Sequence, residues 1–192
     1  ALDTVAASDI EFERITTLKV EFRKPIYVGE PLVLVVVNRS VTNLKLNLCA
    51  AEVVLATIII EGASNSNPEA GHAKTGGRDN GLRVAVQGID QIPHHRSGIL
   101  PLRESDAPQV GLETRYCGAV HWLGLARFRA VAALSRLVGM ECPGLHSLFV
   151  SAEILFAEAN GPVHLADAVK EVDERFQIVR IAIKSSGLAG IV

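Results

Sequence analysis

From Thr17 to Arg23 the chain alternates, with Leu18, Val20 and Phe22 on one side and Lys19, Glu21 and Arg23 on the other. A period of two predicts a half-buried strand. Pro25, which cannot donate to a ladder, ends it. Val28-Gly29-Glu30-Pro31 supplies a turn, and the near-continuous apolar run Leu32 to Val37 reads as a second, buried strand. Asn38-Arg39-Ser40 breaks that run, and two further strands are expected over about 42–49 and 52–60. Residues 61–81 contain no Val, Ile, Leu or Phe. Such a tract buries too little surface to offset its ordering entropy, so 63–81 is predicted to be a linker. Beyond it, Leu82 to Val86 alternates like a strand. A poorly patterned loop with Pro93, Pro101 and Pro108 follows. The pattern then changes to helical. Leu123, Ala126, Ala130, Val131, Leu134, Leu137 and Val138 recur at helical spacing and predict a helix over about 122–138. Its arginines, Arg127, Arg129 and Arg136, do not share one exposed face, so the helix is expected to be mostly covered. Gly139 is the expected stop and Pro143 prevents resumption. Three strands are expected after it, over 147–156, 163–169 and 176–183.

The order of elements repeats. Leu18-Lys19-Val20-Glu21-Phe22 corresponds to Ala152-Glu153-Ile154-Leu155-Phe156; each is followed by a Pro- and Gly-containing loop and then a Val/Leu strand. Residues 1–8, read as the last turns of a helix, then fall where the long helix of the second copy ends. Two copies of a helix-then-antiparallel-sheet unit are expected, the first lacking its front. The chain opens on Ala1 in that helix and closes on Ile191-Val192 as a strand in progress, which predicts a portion of a longer polypeptide. The domains are accordingly 1–62, a partial first module; 63–81, the linker; and 82–192, the second module.

Bulk properties narrow the class. Hydrophobic residues make up 48% of the 192, and the net charge is −2. That balance argues against nucleic acid or an anionic membrane as partner, since both reward a basic face. The longest candidate, Val53 to Ile60, has strand length, far short of the roughly 18 residues of a membrane span. No basic n-region or cleavage site marks the first residues. Three cysteines, Cys49, Cys117 and Cys142, are odd in number and widely spaced, which fits a reducing cytoplasm better than a disulfide framework.

A long helix against an antiparallel sheet describes a hot-dog fold, and here particular residues carry a resemblance. Val20-Glu21-Phe22-Arg23-Lys24-Pro25-Ile26-Tyr27-Val28-Gly29-Glu30 resembles the strand-turn-strand of MaoC-like acyl dehydratases, V-x-F-x-x-P-[IV]-x-x-G-[ED]. Leu134 to Phe149, LSRLVGMECPGLHSLF, is similar to the helix end and following strand of the same superfamily. The resemblance covers most of the chain apart from the linker and 83–120. It implies an α+β double hot-dog fold, a curved antiparallel sheet wrapped around a central helix, the first module incomplete. It also implies reversible addition of water to 2-enoyl thioesters carried on CoA or acyl carrier protein, without a cofactor, in a homo-oligomer such as a dimer. That chemistry needs one group to move the water proton and donors to polarise the thioester carbonyl. The family's Asp-x-Asn-x-x-His run is not found: no Asp-x-Asn occurs anywhere. His121 lies near the position of the family's His and is the candidate catalytic residue. Trp122, Gly124, Gly144, His146 and Ser147 are the candidate substrate-binding residues.

Two other readings stay open: a noncatalytic hot-dog module that binds acyl groups or supports assembly, and a hot-dog thioesterase. The last needs a carboxylate facing the thioester, and Glu113 and Glu141 are the acids flanking the helix. The remaining chemistry is bland. His146 and Ser147 are adjacent and point to opposite faces of a strand, so they cannot form one base-nucleophile pair. Cys142 sits at the wrong end of a helix for a reactive thiolate. Cys117 and His121 share the spacing of helical metal ligands but have no second pair, and no metal site is expected. His94 and His95 follow Pro93 in a loop. His164 and Asp167, three apart on an expected strand, face opposite ways. Asp173-Glu174-Arg175 reads as a hairpin connection. Gly76-Gly77 and Gly187 to Gly190 lack the strand-loop-helix context of a nucleotide site.

Overall fold

The computed structural model describes residues 14–27, 29–63, 92–93, 96–102, 111, 114–144, 147–158 and 164–192. In chain order these form β1 (Arg14–Phe22), β2 (Val33–Arg39), β3 (Asn43–Ala50), β4 (Val53–Ala63) and β5 (Ser97–Pro101). Then come α1 (Cys117–Leu123), α2 (Leu125–Arg136), a π turn (Leu137–Glu141), β6 (Ser151–Phe156), β7 (His164–Asp173), β8 (Ile178–Ser185) and β9 (Leu188–Ile191). All nine strands lie in one antiparallel sheet, ordered β2-β3-β4-β1-β6-β9-β8-β7-β5.

Alternation in the sequence becomes a buried face. Register partners share a face, and one line of them crosses every strand: Arg39, Leu44, Ile60, Leu18, Ile154, Gly190, Ile183, Asp167 and Gly98. Leu44, Ile60, Leu18, Ile154 and Ile183 of that line are buried in one core with Phe128, Ala130, Ala133, Leu134 and Leu137 from the helical segment. The sheet therefore packs one face on α2, as the patterning predicts. Two of the nine places in the line are glycine, and one is a carboxylate.

The strand order is the same in the two halves of the sheet. It runs β2-β3-β4-β1 on one side and β7-β8-β9-β6 on the other, with β5 added outside β7. The halves meet at β1 and β6, whose register centres on Lys19 opposite Glu153. These two residues are equated when Leu18–Phe22 is matched to Ala152–Phe156. Across that seam Lys19 Nζ lies 2.8 Å from Glu153 Oε1, and this hydrogen bond raises the lysine pKa.

Five expectations are corrected. β2, expected to be buried, is exposed at Val33, Val35, Val36 and Val37, because among the described residues it is the outer strand of the sheet and no helix covers it. The helix does not run unbroken over 122–138: it begins at Cys117 and breaks at Gly124, whose φ of 75° no helix tolerates and a glycine accepts without a Cβ clash. Gly139 is not the stop. The chain passes through it in a π turn closed by Cys142 N–H donating to Leu137 O (2.8 Å), and turns extended at Cys142. Of the expected buried face, Leu123, Ala130, Leu134, Leu137 and Val138 are buried and Ala126 and Val131 half-buried, while Phe128 and Ala133 are buried in addition. The loop before the helix contains β5, whose Gly98 and Pro101 disguise a strand that exists only by pairing with β7. After the helix there are four strands, not three, because Gly187 (φ 70°) turns β8 into β9. The expected elements over 1–8 and 82–86, and most of the linker, lie outside the described residues.

Candidate functional site

The helix end and the sheet enclose a groove of about 520 Å³. Val138 and Pro143 form its helical wall, Ser147 and Phe149 the connecting segment, and Ile181 and Val192 the sheet side. Gln177 and Arg180 line it as polar groups from the β7–β8 turn and β8. The volume is that of a small-molecule pocket, and the lining is mainly apolar with a few polar groups, as such sites are. The connecting segment is tied to the other half of the sheet: Phe22 N–H donates to Val150 O (2.8 Å), and the Phe22 and Phe149 rings lie 6.4 Å apart.

Beside the groove wall lies a buried polar cluster. Gly98 and Leu100 face inward on β5, with Arg96 immediately ahead of it; Leu165, Asp167 and Val169 face inward on β7. The Arg96 guanidinium crosses from sheet to helix end and donates to the Glu141 carbonyl (2.6 Å). Glu141 in turn lies 3.9 Å from Arg136. Asp167 is 5% exposed, and its Oδ2 has no hydrogen-bond partner among the described residues. Burial pushes its pKa above the usual carboxylate range; Arg96 opposes the shift and Glu141 adds to it. Asp167 has this room because its register partner is Gly98, where a Cβ would come within 2.6 Å of Asp167 Oδ1. Cys142 is fully buried at the same corner, and burial raises its thiol pKa, so it is no nucleophile.

A second arginine fixes the start of the helix. Arg127 donates to the Leu123 carbonyl (3.3 Å) and to the Ala157 carbonyl beyond β6. Its pKa is lowered, first by burial and then by Arg14, with Glu158 opposing.

The predicted site residues are dispersed. Ser147 lines the groove, and Gly144 is buried next to the wall residue Pro143. His121 is exposed on α1, Trp122 is half-buried, and Gly124 sits exposed at the helix break; none of the three is among the described lining residues. His146, His94, His95 and Glu113 lie outside the described residues. Among the described residues no three of His, Cys, Asp and Glu converge on a metal position, and no helix is long and apolar enough to cross a membrane. Sequence reasoning weighed Asp167 only as a partner for His164, and it missed Arg96. A signal existed, since Leu165-Asp167-Val169 places a carboxylate on the apolar side of an alternating strand. Arg96 had no such signal, because β5 was not legible.

No protein-family model and no curated protein matches the chain. Several solved structures are similar to it in outline. An acyl-CoA thioesterase II, TesB2, from Mycobacterium marinum is 10% identical over 97% of this chain and 81% of its own, with a TM-score of 0.49. A hot-dog-fold protein of unknown function from Alicyclobacillus acidocaldarius is 12% identical over 98% and 80%, at 0.47. A MaoC-like dehydratase from Phytophthora capsici is 10% identical over 95% and 70%, at 0.41. At these TM-scores the likenesses carry no argument about family or activity.

Proposed function

We propose that this chain binds the acyl part of a CoA or acyl carrier protein thioester in the groove between the helix end and the sheet, as a double hot-dog protein of the dehydratase/hydratase type. The observation that carries the reading is the groove itself: about 520 Å³, mainly apolar, walled by the Pro143 turn and containing Ser147. Both lie within the stretch from Leu134 to Phe149 that carries the dehydratase resemblance. The double architecture is supported by the common order of β2-β3-β4-β1 and β7-β8-β9-β6 and by the seam at Lys19 and Glu153. The role of His121 as proton-transfer group remains part of the proposal, with Trp122 and Gly124 beside it at the helix break. A cytoplasmic protein acting without a cofactor follows from the same reading.

The test is a chain-length series of acyl-CoAs against the purified protein, read as binding, as hydration of 2-enoyl-CoA and as release of free CoA thiol. Each added two-carbon unit buries two methylenes, worth about 1.6 kcal/mol, so Kd should fall roughly tenfold or more per step until the groove is full. Ser147→Trp, which fills the groove from a half-buried position, should weaken binding at least tenfold without lowering Tm. Hydration identifies the dehydratase type, thiol release the thioesterase, and binding without either the noncatalytic module. Affinity independent of chain length would refute the acyl reading.

A further inference from the structure

Arg96 is held at both ends. Val169 N–H donates to its backbone carbonyl (2.9 Å), and its guanidinium donates to the Glu141 carbonyl (2.6 Å). Both anchors adjoin the groove. Val169 is the register partner of Ile181, which lines the sheet side, and Glu141 lies in the helix-end wall between Val138 and Pro143. The side chain is therefore a strut from one wall to the other. The bonds from Cys142 N–H to Leu137 O (2.8 Å) and from Gly144 N–H to Val138 O (3.1 Å) shape the helix end from within; the strut ties it to the sheet.

Asp167 stands beside this strut. It lies two residues from Val169 on the same inward face of β7, is 5% exposed, and its Oδ2 has no hydrogen-bond partner among the described residues. Among those residues, the charged and titratable groups of its corner are Arg96 ahead of β5, Glu141 and Cys142 at the helix end, and Arg136 of α2 behind Glu141. Its register partners on β5 and β8, Gly98 and Ile183, carry no charge. Arg136 faces the Glu141 carboxylate at 3.9 Å, so Arg96 is the cation placed to answer Asp167. A neutral Asp167 leaves Arg96 on the Glu141 carbonyl. An ionised carboxylate buried without a partner is costly, and a guanidinium binds a carboxylate more strongly than a carbonyl.

We propose that Asp167 gates the helix-end wall of the groove through Arg96. Protonated, it leaves the guanidinium on Glu141 and the wall tied to the sheet; ionised, it draws the guanidinium away and releases the turn from Leu137 to Pro143. Asp167 is thus a positioning residue, and the wall is a two-state element biased by one proton. The sign follows from burial, which holds the Asp167 pKa above the usual carboxylate range. The wall is held at low pH and released as pH rises through the folded value. The inference is independent of what occupies the groove.

Amide hydrogen exchange of the unliganded protein from about pH 4 to pH 8, expressed as protection factors, reads the gate at Cys142 N–H and Gly144 N–H. The β1 amides serve as the reference for global unfolding. In the wild type, protection at the two sites should fall relative to β1 by at least about tenfold as pH rises, the loss of one charge-assisted hydrogen bond. Asp167→Asn, neutral throughout, should keep it high across the range, and Arg96→Met should keep it low. Flat protection in the wild type, or the same fall in Asp167→Asn, would overturn the proposal. A fall shared equally by β1 would overturn it by showing global unfolding instead of a local release. Protection in Arg96→Met as high as in Asp167→Asn would show that the strut does not hold the wall. The comparison of wild type with Asp167→Asn decides the matter even where Arg96→Met fails to fold.

Discussion

Asp167 is a carboxylate held in an apolar line of the sheet, and Gly98 is the register partner that gives it room. Replacing Gly98 with Ala adds a Cβ within 2.6 Å of Asp167 Oδ1 and 3.2 Å of its Cγ. The carboxylate must move, and the movement takes place in a packed corner beside Arg96 and Cys142. Overpacking of this kind costs about 1–3 kcal/mol. Against it, alanine restricts the unfolded chain and stabilises by about 0.4–1 kcal/mol where the backbone is compatible. Gly98→Ala is therefore expected to destabilise by about 1–2 kcal/mol. Asp167→Ala removes the clashing group, so in that background Gly98→Ala should change sign and stabilise by about 0.5 kcal/mol. The difference, a coupling of about 1.5–2.5 kcal/mol, is measured as a double-mutant cycle from urea unfolding of the four proteins at pH 7. Equal effects of Gly98→Ala in the two backgrounds would refute the reasoning, because they would place the cost of the methyl somewhere other than the carboxylate.

Three further outcomes are expected. Asp167 is held above its ordinary pKa by burial, so its contribution is fully present below the unfolded carboxylate pKa of about 3.9 and is lost as pH rises through the folded value; Asp167→Asn, neutral throughout, should gain on wild type from pH 4 to pH 7 in chemical unfolding. At Gly190 a Cβ would run into the Glu153 backbone carbonyl of β6, an atom that cannot step aside without parting the strands; Gly190→Ala should cost about 3 kcal/mol or more by urea unfolding. Arg127→Met leaves the Leu123 and Ala157 carbonyls without their donor and should cost about 1–3 kcal/mol, with amide exchange faster at the α1–α2 break than elsewhere in α2.

Sequence alone determined the elements whose environment repeats locally. Strands with a strict alternation, such as Leu18-Val20-Phe22, announce their buried face because side chains leave a strand on alternate sides. The helix announces itself by its 3.6-residue spacing, and the Leu134–Phe149 stretch fixes the corner where the groove is built. The match of Leu18–Phe22 with Ala152–Phe156 was also legible, and it equates the two residues on which the seam is centred. The tertiary structure decided what depends on a partner distant in sequence. β5 reads as loop because Gly98 and Pro101 carry no strand preference, yet Gly98 is required opposite Asp167 and the backbone of β7 supplies the pairing. Arg96 and Glu141, 45 residues apart, meet only when the sheet closes on the helix end. The break at Gly124 and the exposure of His121 on α1 turn on helix packing, which no local pattern encodes. A pattern records which side of an element is buried; only the fold records what it is buried against.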